Sequence, residues 1–158
     1  MTLDTRWEDI STLLQRAERT HDEKLQSAIT EIAAQRFEFP SPEYASFRTY
    51  VNSPDIAMAV QVGDDEIVPT IVVVEKIKEG DSRLVMTAQV CVTEEVNDGE
   101  AKRLWSRIAS VPDQAFYLYV PVGCGLQAKQ ICKRLKIKVE GFRTWRTTPR
   151  GFEINDVG

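Results

Sequence analysis

Residues 85–96 read VMTAQVCVTEEV, and successive residues alternate in character as they do in a β-strand. One face of this strand is apolar, and the other carries an amide beside a thiol. The apolar face comprises Met86, Ala88, Val90 and Val92. The second face comprises Val85, Thr87, Gln89, Cys91 and Thr93. The segment therefore predicts a strand, and Gln89 and Cys91 are the first candidates for a functional site.

Two further strands are predicted before this one, with short turns between them. They are AMAVQV (57–62) and TIVVVEKI (70–77), and the third strand is placed at 84–92. The connecting segments, GDDE and KEGDS, are rich in Gly and Asp, which favour tight hairpin turns. The three segments therefore predict an antiparallel meander.

Helices and strands alternate in the C-terminal part of the chain. One helix is predicted to begin at Asn97, which has the spacing of a capping box with Glu100, and another at 126–135. A strongly apolar strand is predicted at 115–122, and a last strand at 138–147. Strand–helix–strand connections pair their strands in parallel. The sequence therefore predicts an α/β fold with a mixed central sheet and helices on both faces.

The N-terminal segment, residues 1–39, is predicted to be helical because apolar residues recur at the spacing of an amphipathic helix. Thr20 and Glu23 have the spacing of a capping box, so we expect the helix to break and restart there. Pro40 and Pro42 are expected to end it.

Length and composition fit one globular domain. The chain has 158 residues, and we expect residues 1–158 to form a single domain. Residues 41–55 are expected to be irregular, and residues 151–158 are interpreted as a C-terminal tail.

The predicted location is cytoplasmic. Three cysteines and an acidic N-terminus that does not resemble a signal peptide indicate reduced thiols in a cytosolic protein. No stretch approaches the roughly 20 apolar residues of a membrane helix, so no membrane partner is expected.

Charge is distributed unevenly along the chain. Residues 1–100 hold 9 Lys and Arg against 20 Asp and Glu, whereas residues 101–158 hold 11 against 4. The basic part is a candidate surface for phosphates. Because the basic residues are scattered, we expect instead that acidic and basic parts face each other within the fold or across a dimer.

The predicted order, α-β-β-β-α-β-α-β, resembles the core of the PD-(D/E)xK nucleases, which have the restriction-endonuclease-like fold. PTIVVVEK (69–76) resembles the Pro-Asp strand of that family. TAQVCVTEEVNDGEAKRLW (87–105) resembles a third strand and helix of a bacterial branch that reads roughly A-E-V-E-T-E-E-S-V-T-x-x-x-A-x-x-x-W. FYLYVPVG (116–123) and QAKQICKRLKIKVEGFRTW (127–145) resemble its closing strand, helix and strand. The resemblance covers 57–147 and implies an αβββαβ core, to which this chain adds its N-terminal helical segment.

The resemblance also implies a metal site at three positions, and this chain differs from the family at all three. Thr70 stands where the family has its metal-binding Asp, Gln89 where it has Glu, and Cys91 where it has Lys or a second acid. The family holds Mg²⁺ between two carboxylates, which neutralises phosphate charge and activates water. A hydroxyl and an amide supply no anionic oxygen for Mg²⁺. We therefore expect a domain without hydrolytic activity or cofactor, which acts as a structural, protein-interaction or nucleic-acid-binding module.

A metal-dependent DNA nuclease with relocated carboxylates is the alternative. The candidate acids are Glu75 and Glu94. Glu75 is five positions from Thr70 along a strand, so we expect it to project from the other face. Glu94 is expected at the exit of the third strand. Mg²⁺ would be a cofactor only under this alternative.

A thiol nucleophile at Cys91 would require a base, and His21 is the single histidine of the sequence. We favour Cys91 as a small buried apolar residue.

The segment GFRTWRTTPRG (141–151) contains the strongest nucleic-acid signal. Arg143, Trp145, Arg146 and Arg150 combine cations for phosphate with an aromatic ring for base stacking. The alternative is a strand with one face under a helix and arginines at its rim. DNA and a second copy of this chain, forming a homodimer, are therefore the partners that the sequence suggests.

Overall fold

A mixed six-stranded sheet forms the centre of residues 22–157, the part of the chain that the computed structural model describes. The described residues form eight strands, six in this sheet and two in a separate hairpin. They are β1 (Phe47–Val51), β2 (Val60–Val62), β3 (Asp65–Ile67), β4 (Ile71–Lys78), β5 (Asp81–Val90), β6 (Ala115–Pro121), β7 (Gly141–Thr148) and β8 (Gly151–Asp156). The sheet has the order β1-β4-β5-β6-β7-β8, and β2 and β3 form a separate hairpin. β1, β4 and β5 are antiparallel, β6 and β7 run parallel to β5, and β8 returns antiparallel to β7.

Three helices accompany these strands within the described residues. Helix α1 covers residues 22–36. Helix α2 consists of the turns Asp98–Glu100, Ala101–Trp105 and Ser106–Ala109, of which the middle one is π-helical. Helix α3 is Gly125–Leu135.

The ends of α2 and α3 follow from single residues. The Oδ1 atom of Asn97 accepts a hydrogen bond from the Glu100 N–H at 2.8 Å, which confirms Asn97 as the residue that caps α2. Lys136 ends α3 in the left-handed conformation, with φ of 58°.

The two faces of the sheet are covered by different helices. α2 and α3 pack on one face, where Trp105 and Ile131 share a core with Val72 and Leu118. α1 covers the other face, where Ile32 packs in the cluster that contains Tyr119. The predicted mixed sheet with helices on both faces is therefore confirmed.

The predicted first strand of the meander is wrong. β1 lies inside the segment expected to be irregular, and its Val51 pairs with Ile71 of β4. Residues 60–62 of the predicted strand 57–62 pair with β3 instead, in the separate hairpin. The sequence FRTYV is short and carries Arg48 and Thr49 because it forms the edge of the sheet, where one side of the strand has no strand partner.

Part of the segment interpreted as a C-terminal tail forms strand β8, which the sequence did not predict. β8 pairs antiparallel with β7, and the ring of Phe152 stacks on Trp145 with their centroids 6.1 Å apart. Alternation of Phe152 and Ile154 with polar residues is the signal that could have predicted this strand.

The N-terminal helix is confirmed for residues 22–36, and it ends before the expected boundary at 39. Thr20 and His21 lie outside the described residues. No helix within 22–157 is long and apolar enough to cross a membrane.

Three ion pairs within the described residues join the acidic and basic parts of the chain. Arg107 Nη2 lies 3.0 Å from Asp65 Oδ2, and Arg103 Nη2 lies 2.5 Å from Glu100 Oε1. The third joins Arg134 to Asp98. The expectation that the two parts face each other within the fold is therefore met at these contacts.

Candidate functional site

Thr70 and Gln89 lie side by side where β4 begins and β5 ends. The register that pairs Ile71 with Ala88 makes them neighbours on adjacent strands. Gln89 Oε1 accepts a hydrogen bond from the Thr70 N–H at 3.1 Å, and Thr70 Oγ1 accepts one from the Val90 N–H at 3.0 Å. Both residues are only 8% exposed. Their side chains therefore extend the hydrogen bonding between the two strands past the last backbone pair.

Asn52, directly after β1, joins this pair to the following loop. Its backbone N–H donates to the Thr70 carbonyl at 2.9 Å, and its Nδ2 donates to the carbonyls of Pro69 at 2.8 Å and Met58 at 2.7 Å. Its Oδ1 accepts from the N–H groups of Ala57 and Met58, both at 2.7 Å. We call Asn52, Thr70 and Gln89 the neutral polar cluster.

Sequence reasoning missed Asn52. The only local signal is an asparagine between a strand and a Ser-Pro turn, and asparagine is common in turns, where its side chain bonds to nearby backbone. Its burial and its contact with Pro69 depend on the tertiary pairing of β1 with β4.

Cys91 follows Gln89 at the end of β5 and is 1% exposed. It belongs to the core that contains Val96 and Trp105. Burial raises the pKa of the Cys91 thiol well above its usual value, and the nearby Glu95 carboxylate adds a smaller effect in the same direction. The nearby Trp105 indole N–H opposes part of this rise in pKa. It makes no well-formed hydrogen bond to any described residue. Cys91 is therefore a protonated core thiol at neutral pH.

A β-bulge changes the predicted face of Val85. Val73 pairs with Met86 and Val74 pairs with Leu84, so Val85 is an extra residue in β5. Val85 and Met86 both pack on the α1 side of the sheet. The expectation that Val85 shares a face with Gln89 is therefore wrong.

The two acids considered as replacements lie apart from the neutral polar cluster. Glu75 alternates onto the α1 face of β4, as expected, and its Oε1 lies 3.3 Å from Arg83 Nη2. Glu94 lies on the exposed 3₁₀ turn Thr93–Glu95 after β5. Within residues 22–157, no three His, Cys, Asp or Glu side chains are arranged to hold a metal ion.

A small cavity of about 150 Å³ lies beyond the end of β5, near the N-terminal end of the described part of α1. Its walls are mainly apolar, with Leu25, Val92 and Trp145 among them, and Lys24 supplies the charge. None of the described residues that line it is acidic. The cavity therefore offers no carboxylate to a cation.

Two of the candidate nucleic-acid residues are engaged within the fold. The Arg143 guanidinium lies 4.5 Å from the ring centroid of Tyr117, and its Nη1 donates to the Tyr119 hydroxyl at 2.5 Å. Its Nε also lies 3.2 Å from Asp156 Oδ1. Trp145 is buried, and its indole N–H donates to the Cys91 carbonyl at 3.3 Å.

The other two candidates reach the surface. Arg146 Nε donates to Glu153 Oε2 at 2.7 Å across the β7–β8 pair. Arg150 is exposed in the turn between these strands. The structure therefore separates the four residues, since Arg143 and Trp145 build the sheet and Arg146 and Arg150 remain accessible.

The candidate site is thus a neutral hydrogen-bonded cluster beside a buried thiol. It brings Thr70, Gln89 and Cys91 to one end of β5, as the motif spacing predicted, and it adds Asn52. Its groups can hold strands and a loop together, but they supply no general base or anionic metal ligand. No protein-family model, curated protein or solved structure matches this chain.

Proposed function

We propose that this chain is a binding domain with a restriction-endonuclease-like core and no hydrolytic activity. The order of elements supports the core, because α1 is followed by an antiparallel meander of β1, β4 and β5, then by α2 and the parallel strand β6. This order is compatible with the αβββαβ arrangement that the resemblance implies, with the β2–β3 hairpin inserted between β1 and β4.

The hydrogen bond between Gln89 and Thr70 carries the proposal. In the motif these positions belong to the carboxylates that hold Mg²⁺, and here the Gln89 amide oxygen is satisfied by a backbone N–H. Both side chains are buried and uncharged, so a divalent ion would lose its hydration shell without gaining anionic ligands. The pair acts as a link between strands, which leaves binding as the function of the domain.

Metal binding by designed variants tests this proposal. The double variant Thr70→Asp/Gln89→Glu restores two carboxylates, and Thr70→Asn is its neutral control because Gln89 is already the neutral counterpart of glutamate. We expect Mn²⁺ to raise the melting temperature of the double variant only. At about 100 times the dissociation constant the stabilisation is about 2.7 kcal/mol, or roughly 5–10 °C.

Nuclease assays complete the test. We expect no cleavage of plasmid or single-stranded DNA by the unmodified protein with Mg²⁺ or Mn²⁺. Cleavage that disappears in Gln89→Ala or Glu75→Ala would refute the loss of hydrolysis. A double variant that folds but does not respond to Mn²⁺ would contradict the restriction-endonuclease-like geometry.

A further inference from the structure

Helix α3 and the segment that follows it form an open groove of about 580 Å³. It lies far from the neutral polar cluster in sequence and shares none of its residues. Apolar side chains form the floor of the groove, and lysines form its rim. The floor residues are Ile137, Val139 and Phe142, and the rim residues are Lys129, Lys133 and Lys138. We call this feature the α3 groove.

The α3 groove exposes apolar surface beside the N-terminal end of α3. Leu126 lines the groove and is 69% exposed, although it lies in the first turn of a helix whose other face is buried. Leu126 buries little apolar surface within the monomer, whereas a partner that covers it would remove this surface from water.

Three of the 11 Lys and Arg of residues 101–158 line the groove, namely Lys129, Lys133 and Lys138. Residues 124–139 contain five of the 11 Lys and Arg of residues 101–158 and no acidic residue. Arg134 is paired with Asp98, but Lys133 and Lys138 have no ion-pair partner among the described residues. Lys133 and Lys138 therefore present positive charge beside an apolar floor.

The spacing of the lining residues along α3 favours a helix as the occupant of the groove. Leu126 and Lys133 are seven positions apart on α3, which corresponds to about 10 Å. This is also the distance between apolar residues at i and i+7 on a second helix, whose anchors at i+3 or i+4 would fall between them. A small apolar ligand would remain largely exposed in an open groove, whereas such ligands usually bury about 70–90% of their surface.

The chemistry of the floor argues against nucleic acid. Leu126, Ile137 and Val139 are aliphatic and provide no stacking surface for bases, and Phe142, the one aromatic ring among the described lining residues, is half-buried. Phosphate contacts require the lysines but not an apolar floor. An acidic amphipathic helix uses both features, since its apolar side chains fill the floor and its carboxylates pair with the rim.

We propose that the α3 groove binds an acidic amphipathic helix of a partner protein. This inference names the partner class of the binding domain and therefore rests on the proposed function. The helix would present apolar anchors at i, i+3 or i+4, and i+7, flanked by Glu or Asp that face Lys133 and Lys138.

The probe is a fluorescein-labelled helical peptide of about 16 residues with Leu at the anchor positions and Glu at the others. Its binding to the full chain is measured by fluorescence anisotropy. We expect Leu126→Glu, and the double variant Lys133→Glu/Lys138→Glu, each to weaken binding about tenfold or more. The controls are Ile77→Glu, at an apolar side chain that is 60% exposed on β4, and Lys102→Glu on α2. Both controls should bind as the unmodified protein does.

Several outcomes would overturn the inference. These are no binding of the peptide, equal binding of a version with Lys in place of Glu, or binding that the two groove variants leave unchanged. Tighter binding of duplex DNA that depends on Lys133 and Lys138 would assign the groove to nucleic acid instead. Concentration-dependent self-association abolished by Leu126→Glu would assign it to a second copy of the chain. Nuclease activity of the unmodified protein would refute the proposed function and leave the peptide result standing, so the two failures can be distinguished.

Discussion

Replacement of Asn52 by leucine should destabilise the protein strongly, because this side chain makes four hydrogen bonds in a buried position. The bonds join Nδ2 to the carbonyls of Pro69 and Met58 and Oδ1 to the N–H groups of Ala57 and Met58, at 2.7–2.8 Å. Leucine has a similar size and replaces none of them. Each lost bond is worth about 1 kcal/mol, and a buried carbonyl left unpaired costs about 1–3 kcal/mol.

The net loss is smaller than the sum of these terms. Ala57 is exposed, so its N–H can bond to water, and the added apolar surface of leucine offsets about 1 kcal/mol. We therefore expect the free energy of unfolding to fall by about 2–4 kcal/mol, which is a large part of the roughly 5–15 kcal/mol of a typical domain.

Urea denaturation measures this loss as a lower midpoint with an unchanged slope. The control is Asn155→Leu, at an exposed residue of the edge strand β8, which should change stability by less than about 0.5 kcal/mol. Hydrogen exchange should also accelerate in residues 53–58 of the Asn52 variant. A loss below about 1 kcal/mol would show that Asn52 does not hold this loop to β4.

Three further predictions concern other parts of the fold. Burial raises the pKa of the Cys132 thiol from 9.0 to about 11. The stability that the buried neutral thiol contributes is therefore complete below pH 9 and is lost as the pH rises through 11. Between pH 9 and 11, the urea midpoint of Cys132→Ala should therefore fall less steeply than that of the unmodified protein. Parallel curves of midpoint against pH would contradict this. Arg143→Ala should lower stability by about 2 kcal/mol in thermal denaturation because it removes contacts with two tyrosines and an aspartate, whereas Arg150→Ala should change it by less than about 0.5 kcal/mol. Thr70→Val should accelerate amide exchange at Val90, as followed by NMR, whereas Thr70→Ser, which keeps the hydroxyl, should not.

The elements with strong periodicity could be predicted from the sequence. β4, β5 and β6 are long apolar strands buried by helices, and α2 and α3 have regular apolar faces, so local pattern and tertiary environment agree. β1 and β8 were missed because they are the edges of the sheet, where fewer positions need to be apolar. The hairpin of β2 and β3 carries a strand pattern, but that pattern does not specify which sheet it joins.

The site could be predicted only in part, for a similar reason. Strand alternation and motif spacing brought Thr70 to Gln89 correctly. The same spacing could not show that Trp145 is buried, since an aromatic ring beside arginines is compatible with a core or a surface. The contacts of Asn52 join distant segments, and the shape of the α3 groove depends on how α3 packs beside the segment that follows it. Local sequence pattern records neither.

The order of the strands has a consequence for how the protein is made. Within the six-stranded sheet, every strand pairs with the sheet strand that follows it in the chain. The sheet can therefore grow one strand at a time as the chain leaves the ribosome, because each new strand meets an edge that already exists. The link between Thr70 and Gln89 can close once β5 has emerged, and the α3 groove can form only after α3 and the segment that follows it have emerged. The surface proposed to bind a partner therefore forms only after strands β1 to β6 are available to build the sheet beneath it.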